Sequence, residues 1–141
     1  VSAIAIPNIV DSLPGFRLRS AARDIVSSLQ EAKMRAVKEN ADACISFDVA
    51  GNEYEAWVDS DGDRTIDPGE TVFNDVALET GIEFDQGNTT EAVLGFNSRG
   101  LPATSVGSVF IKNSKSGYRR IIVSTAGNIR VQKSSDGTNW N

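Results

Sequence analysis

Histidine does not occur among the 141 residues, so the commonest general base and the commonest transition-metal ligand are both missing. The one cysteine, Cys44, cannot close a disulfide within the chain. It sits in a strand-like run, where a buried and inert thiol is expected, so cysteine usage does not reveal the redox compartment. No apolar run reaches the roughly 20 residues that a membrane-spanning helix needs. A nucleophile elbow, a Cys/His pairing and a Gly-rich phosphate loop are also absent. Carboxylates are plentiful, but nothing around them suggests a closed apolar pocket that would raise a pKa for acid/base work. The sequence therefore reads as a non-enzyme.

Positive charge is in short supply. Fourteen Lys and Arg stand against nineteen Asp and Glu, a net charge of −5, which argues against a general nucleic-acid binder. The average conceals a segregation. Residues 1–41 hold six basic against four acidic side chains, 42–95 hold one against fourteen, and 96–141 hold seven against one. An acidic middle and a basic C-terminal third are expected to form separate surfaces. With 40% hydrophobic and 23% charged residues, the chain has the composition of one globular domain with one core.

What the chain does have is one strong helical period. Leu18, Ala22, Ile25, Leu29, Ala32 and Ala36 recur at spacings of four and three, and Ala21, Val26 and Val37 widen the stripe. Arg17, Arg19, Arg23, Glu31, Lys33, Lys38 and Glu39 fall mostly outside it. The stripe can serve as a fibre contact or be buried within the domain, burial being its main job. Pro7 and the Pro14-Gly15 pair predict a kinked or two-part N-terminal helix, and Asn40 a stop. The first eight residues are small and apolar and read as the tail of something longer. A start at Val1 without methionine fits a processed or shortened chain.

After residue 41 the period changes to two. Residues 43–49 and 53–58 alternate around Ala50-Gly51-Asn52 and predict a hairpin, with Ile45, Phe47 and Val49 on one face and Cys44, Ser46 and Asp48 on the other. Further strands are expected at 71–78, 81–84, 92–96 and 107–112. A closing hairpin is expected from 118–124 and 129–132, turning at Gly127 and Asn128. Trp57 and Trp140 read as packing residues. The predicted fold is α+β, one domain over 1–141: a helix over 1–41, a β-rich head over 42–133 with antiparallel sheet on the helix stripe, and a polar tail over 134–141. The tail is expected to fray unless Trp140 pins it.

Two motifs carry possible chemistry. In Asp59-Ser-Asp-Gly-Asp-Arg-Thr-Ile-Asp-Pro-Gly-Glu70, acidic residues occupy loop positions one, three, five, nine and twelve, the spacing of an EF-hand-like Ca²⁺ loop. Asp59, Asp61, Asp63, Asp67 and Glu70 would supply carboxylates and Thr65 a carbonyl. Arg64 stands where the tight turn favours glycine, and a solvated acidic turn is the alternative. The second motif is the basic group Arg99, Lys112, Lys115, Arg119, Arg120, Arg130 and Lys133. Within it Lys115, Arg119, Arg120, Arg130 and Lys133, around the closing hairpin, are candidates for DNA phosphates. A solvated strand face or a docking surface for an acidic neighbour is the competing reading.

Ser2-Ala-Ile-Ala-Ile-Pro-Asn8, followed by the helix from Leu18 to Asn40, resembles the type IV pilin-like proteins, and within them the GspH/FimT class of minor pseudopilins. Leu94-Gly-Phe-Asn-Ser-Arg-Gly100 is similar to the Phe-x-x-x-Gly turn of that class. Arg120-Ile-Ile-Val-Ser-Thr-Ala-Gly-Asn-Ile-Arg-Val131 is similar to its closing hairpin. The resemblance implies a pilin-like fold lacking its hydrophobic N-terminal half-helix, together with a missing upstream leader and anchor in the bacterial inner membrane. It further implies a head in the periplasm, other pilin or pseudopilin subunits as partners, and a structural role in a type II secretion pseudopilus or type IV pilus. DNA uptake is the alternative implied role. In the DNA-binding members the hairpin resembles Gly-Arg-x-Arg, whereas here it reads Gly127-Asn128-Ile129-Arg130, one arginine short.

Overall fold

The computed structural model describes residues 5–88, 90–103 and 106–141, with side chains described from Leu13 onward. Part of the apolar N-terminal segment, residues 1–4, lies outside the described residues. Among the described residues one helix, α1 (Ala5–Glu39), precedes eight strands: β1 (Asp42–Asp48), β2 (Glu53–Asp59), β3 (Val72–Ala77), β4 (Ile82–Phe84), β5 (Val93–Phe96), β6 (Gly107–Asn113), β7 (Tyr118–Val123) and β8 (Ile129–Ser134). No helix among the described residues is long and apolar enough to cross a membrane.

The expected break at Pro14-Gly15 does not occur. Helix α1 runs uninterrupted for 35 residues with Pro14 inside it. A proline deletes one hydrogen bond of the ladder and crowds one carbonyl, a local loss. The turns that follow are fixed by burial of Leu18, Ala22, Ile25, Leu29, Ala32 and Ala36, each almost completely inaccessible. The end is as the sequence predicts. Asn40 adopts φ 53°, and the Ala41 N–H donates back to the Ala36 carbonyl at 3.2 Å, the six-to-one bond that closes a helix on a left-handed residue. Val37, read as part of the apolar stripe, lies instead on the outer side with Met34, where both are exposed.

The sequence predicts sheet on helix, and the structure has two sheets. One has the order β3-β2-β1-β5 and the other β4-β6-β7-β8, all pairs antiparallel. The hairpins are local, but β4 and β5 each leave their chain neighbours to join the edge of the opposite sheet. Helix α1 packs against both. Its stripe meets Ile45, Phe47, Tyr54, Ala56, Leu94 and Phe96 of the first sheet, and Phe84, Val109, Ile111, Ile121 and Val123 of the second, in one core. Phe47 lies between the sheets, 5.9 Å from the rings of both Tyr54 and Phe84.

Cys44 is fully buried, as expected of a thiol in a strand-like run, opposite Trp57 of β2 and Gly95 of β5. The expected fraying of the tail does not occur. The Trp140 ring packs edge-on against Phe110 at 5.6 Å, and Asn141 exchanges two backbone hydrogen bonds of 3.0 Å with Lys133. Asp136 fastens the intervening turn by accepting from the Thr138 and Asn139 N–H groups and from the Ser134 hydroxyl, which hold its carboxyl well below the usual range.

The two sides of α1 separate in a stability test. Leu29→Ala is expected to cost about 2–5 kcal/mol in urea unfolding, the range for a cavity in a well-packed core. Met34→Ala, on the exposed side, is expected to stay within about 0.5 kcal/mol. Equal losses would contradict the assignment of faces.

Candidate functional site

The acidic loop leaves β2 at Asp59, whose carboxylate is buried and anchors the turn. Its two oxygens accept the Gly62 N–H at 2.8 Å and the Arg64 N–H at 2.9 Å. Asp63 accepts both the N–H and the hydroxyl of Thr65. Arg64 has φ 67°, so the left-handed turn for which glycine is favoured at the sixth position is made by an arginine. Its guanidinium donates to the Ala103 carbonyl at 2.7 Å.

Carboxylate oxygens of Asp59, Asp61 and Asp63 lie within 4.8 Å of one another. The other sequence candidates are not in that group. Glu70 turns to the loop backbone, accepting the Ser60 N–H at 2.7 Å and the Asp67 N–H at 3.0 Å. The donor set is all oxygen and fits a hard cation such as Ca²⁺, but Glu70 would have to leave those N–H groups to join it. The charges are unevenly borne. The N–H groups of Asp67 and Ser60 hold Glu70 below its ordinary pKa, and Thr65 does the same for Asp63. Asp61 is held down by the Asp63 N–H, but loss of surrounding water and the neighbouring carboxylates outweigh this and raise it.

The five cations of the closing hairpin do not share a face. Ile121 and Val123 of β7 point into the core, so Arg119 lies on the helix side of this sheet, as does its cross-strand partner Lys133. Arg120 and Arg130 lie on the outer side, and Lys115 sits in the exposed turn between β6 and β7. Arg120 is also engaged: it donates to the Gln132 side chain at 2.9 Å and lies over the Trp140 ring at 5.0 Å. Arg119 lines a groove of about 420 Å³ between α1 and the β8 edge, together with Arg19, Ala22, Arg23, Val26, Ser27 and Val131. Sequence reading did not connect Arg19 and Arg23 with the hairpin. Their spacing of four, which places both on one side of α1, was the available signal.

The two motifs at the chain's flanks converge on α1. Lys33 Nζ donates to the Gly127 carbonyl at 2.9 Å. A Cβ on Gly127 would lie 2.6 Å from the Gly100 carbonyl oxygen, and one on Gly100 would lie 3.3 Å from the Lys33 side chain. Both glycines have positive φ, so the Phe96–Gly100 turn and the closing hairpin nest where no side chain fits.

These are the flanks of a known family. Residues 21–127 match the model of the type II transport protein GspH. The chain belongs to the GspH family. It is a structural subunit of the pseudopilin or minor pilin kind, of a type II secretion system or type IV pilus. Solved structures share the fold of this GspH-family chain. The minor pseudopilin EpsH from the type 2 secretion system of Vibrio cholerae superimposes with a TM-score of 0.61 at 15% identity, over 82% of this chain and 95% of that one. The type IV minor pilin FimU of Pseudomonas aeruginosa gives 0.62 at 20% identity, over 88% and 92%. No curated protein matches the sequence itself significantly.

Beside the loop, burial, the Asp59 and Asp42 charges and a 3.7 Å contact with the Asp59 carboxylate push the Cys44 thiol up to about 12. It therefore stays protonated throughout the working range. A thiol-reactive disulfide reagent at neutral to mildly alkaline pH is expected to leave native Cys44 unlabelled and to label it fully once urea unfolds the chain. Stoichiometric labelling of the native protein would contradict this burial.

Proposed function

We propose that this GspH-family subunit works by assembly, with α1 as the element shared between the head and the fibre, and with an upstream anchor in the inner membrane holding the head in the periplasm before incorporation. The observation that carries the reading is the division of α1. From Leu18 onward its stripe is consumed by the head's own core, which leaves that face nothing to offer a neighbour. The backbone helix begins 13 residues earlier, at Ala5, about 20 Å ahead of the first core side chain at about 1.5 Å per residue. Leu13 and Phe16 on that stretch are exposed. A helix built into a head at one end and extended beyond it at the other is suited to packing among other such helices. Fibre contacts accordingly use this leading stretch and not the Leu18–Ala36 stripe.

A photocrosslinking residue in place of Leu13 or Phe16, in the full-length protein in cells, is expected to give adducts with other pilin-like subunits. The same residue in place of Leu29 is expected to give none. Adducts only with unrelated proteins from Leu13 and Phe16 would overturn the reading.

For the acidic loop we propose Ca²⁺ as the ligand. The reading is supported by the clustering of Asp59, Asp61 and Asp63 and by the left-handed turn at Arg64. Millimolar Ca²⁺ is expected to give binding heat in calorimetry and to raise Tm by several degrees, because a ligand that binds only the folded state stabilises it. Asp61→Asn together with Asp63→Asn is expected to remove both effects. Absence of heat and of any shift in the unmodified protein would end the proposal.

A further inference from the structure

The groove between α1 and the β8 edge brings together three guanidinium groups from distant parts of the chain: Arg19 and Arg23 from the helix and Arg119 from β7. None of them is in an ion pair among the described residues, whose salt bridges are Arg35 with Glu31 and Glu39, and Lys112 with Glu83. Burial first, and then the Arg19 charge, lower the pKa of Arg119 from its ordinary value. Like charges are thus held together without relief from the chain's own carboxylates. The floor between them is apolar, made by Ala22, Val26 and Val131.

The rim is the outer edge of the second sheet, which β8 ends. At one rung that edge already holds an extended partner, because Lys133 and Asn141 exchange reciprocal backbone hydrogen bonds. Strand alternation directs the N–H and C=O of Val131 and Ile129 to the same side as those of Lys133.

We infer that this groove receives an extended acidic segment of a neighbouring subunit, which pairs along β8 and sets its carboxylates on Arg19, Arg23 and Arg119. The inference rests on the assembly reading above and gives it one partner surface. A chain of alternating acidic and apolar residues matches what the groove presents. The acidic side of such a strand faces the groove, where its carboxylates take the bidentate geometry that arginine offers and their methylene stems cover Val26 and Val131. A phosphate-bearing lipid surface would satisfy the charges but would use neither the narrow floor nor the edge.

The test is fluorescence anisotropy of the whole chain with a labelled peptide of alternating Glu and Val, against the same peptide with Lys for Glu and against phosphatidylglycerol vesicles. Expected is binding of the Glu peptide that weakens as salt rises, with no binding of the Lys peptide. Arg19→Gln and Arg119→Gln are each expected to weaken it by about tenfold, the cost of a charge-assisted bond. Their Tm should hold or rise, since each removes a repulsion. A lower Tm with unchanged affinity would assign the arginines a structural role and overturn the proposal. Equal binding of the two peptides, or vesicle binding that needs the same arginines while the Glu peptide does not bind, would also overturn it. Failure here leaves the Leu13 and Phe16 adducts in place, whereas loss of those adducts with peptide binding intact would sink the assembly reading alone.

Discussion

Everything in this head depends on one face of α1 being shared by two sheets. Ala32 and Ala36 are fully buried where the helix crosses the head, and small side chains there let both sheets approach the helix. Leu18, Ile25 and Leu29 then fill the space between them. No other helix among the described residues covers either sheet, and the shared core is built on the stripe. Lys33 extends the dependence to the loops: its ammonium holds the Gly127 carbonyl, and Gly127 in turn nests on Gly100. The match to the family model begins within this stripe, at residue 21, and ends at residue 127, on this contact.

Much of the fold was legible because it is local. The eight strands lie where alternation and turn residues put them, and the two hairpins expected at β1-β2 and β7-β8 pair as expected. What was not legible is long-range. The exchange of β4 and β5 between sheets depends on which edge each short strand can reach, and three or four residues carry no mark of that. The missing break has the same origin. Pro14 breaks a helix taken alone, but the burial that keeps α1 continuous lies in strands far along the chain. Val37 was misplaced because an apolar residue next to the stripe looks the same whether it points inward or outward.

The candidate sites divide along the same line. The Asp59–Glu70 loop is contiguous, so its acids could be counted in the sequence. Even so, the sequence could not show that Glu70 caps Ser60 and Asp67 instead of joining the other three. The basic hairpin could be counted too, but strand alternation sends Arg119 and Arg120 to opposite faces. The groove was invisible for the opposite reason. Arg19 and Arg119 lie in α1 and β7, far apart in the chain, and only the packing of α1 on the second sheet brings them together.

Segregation of charge along the chain becomes segregation between the two sheets. Strands β1, β2, β3 and β5 come from the acidic middle, and β6, β7 and β8 from the basic C-terminal third. Strand β4 crosses over and carries Glu83 with it, and there Glu83 meets Lys112 on the adjacent strand at 3.3 Å. The acid imported into the basic sheet is thus paired where it lands, while the arginines of the groove at the opposite edge are not. An exposed pair like Glu83 with Lys112 contributes little to stability. Its consequence is for the surface, since it neutralises the β4 edge and leaves the uncompensated positive charge at the β8 edge. Opposed potentials steer an encounter between surfaces and reject the wrong register before any apolar contact forms, so charge placed this way acts ahead of packing.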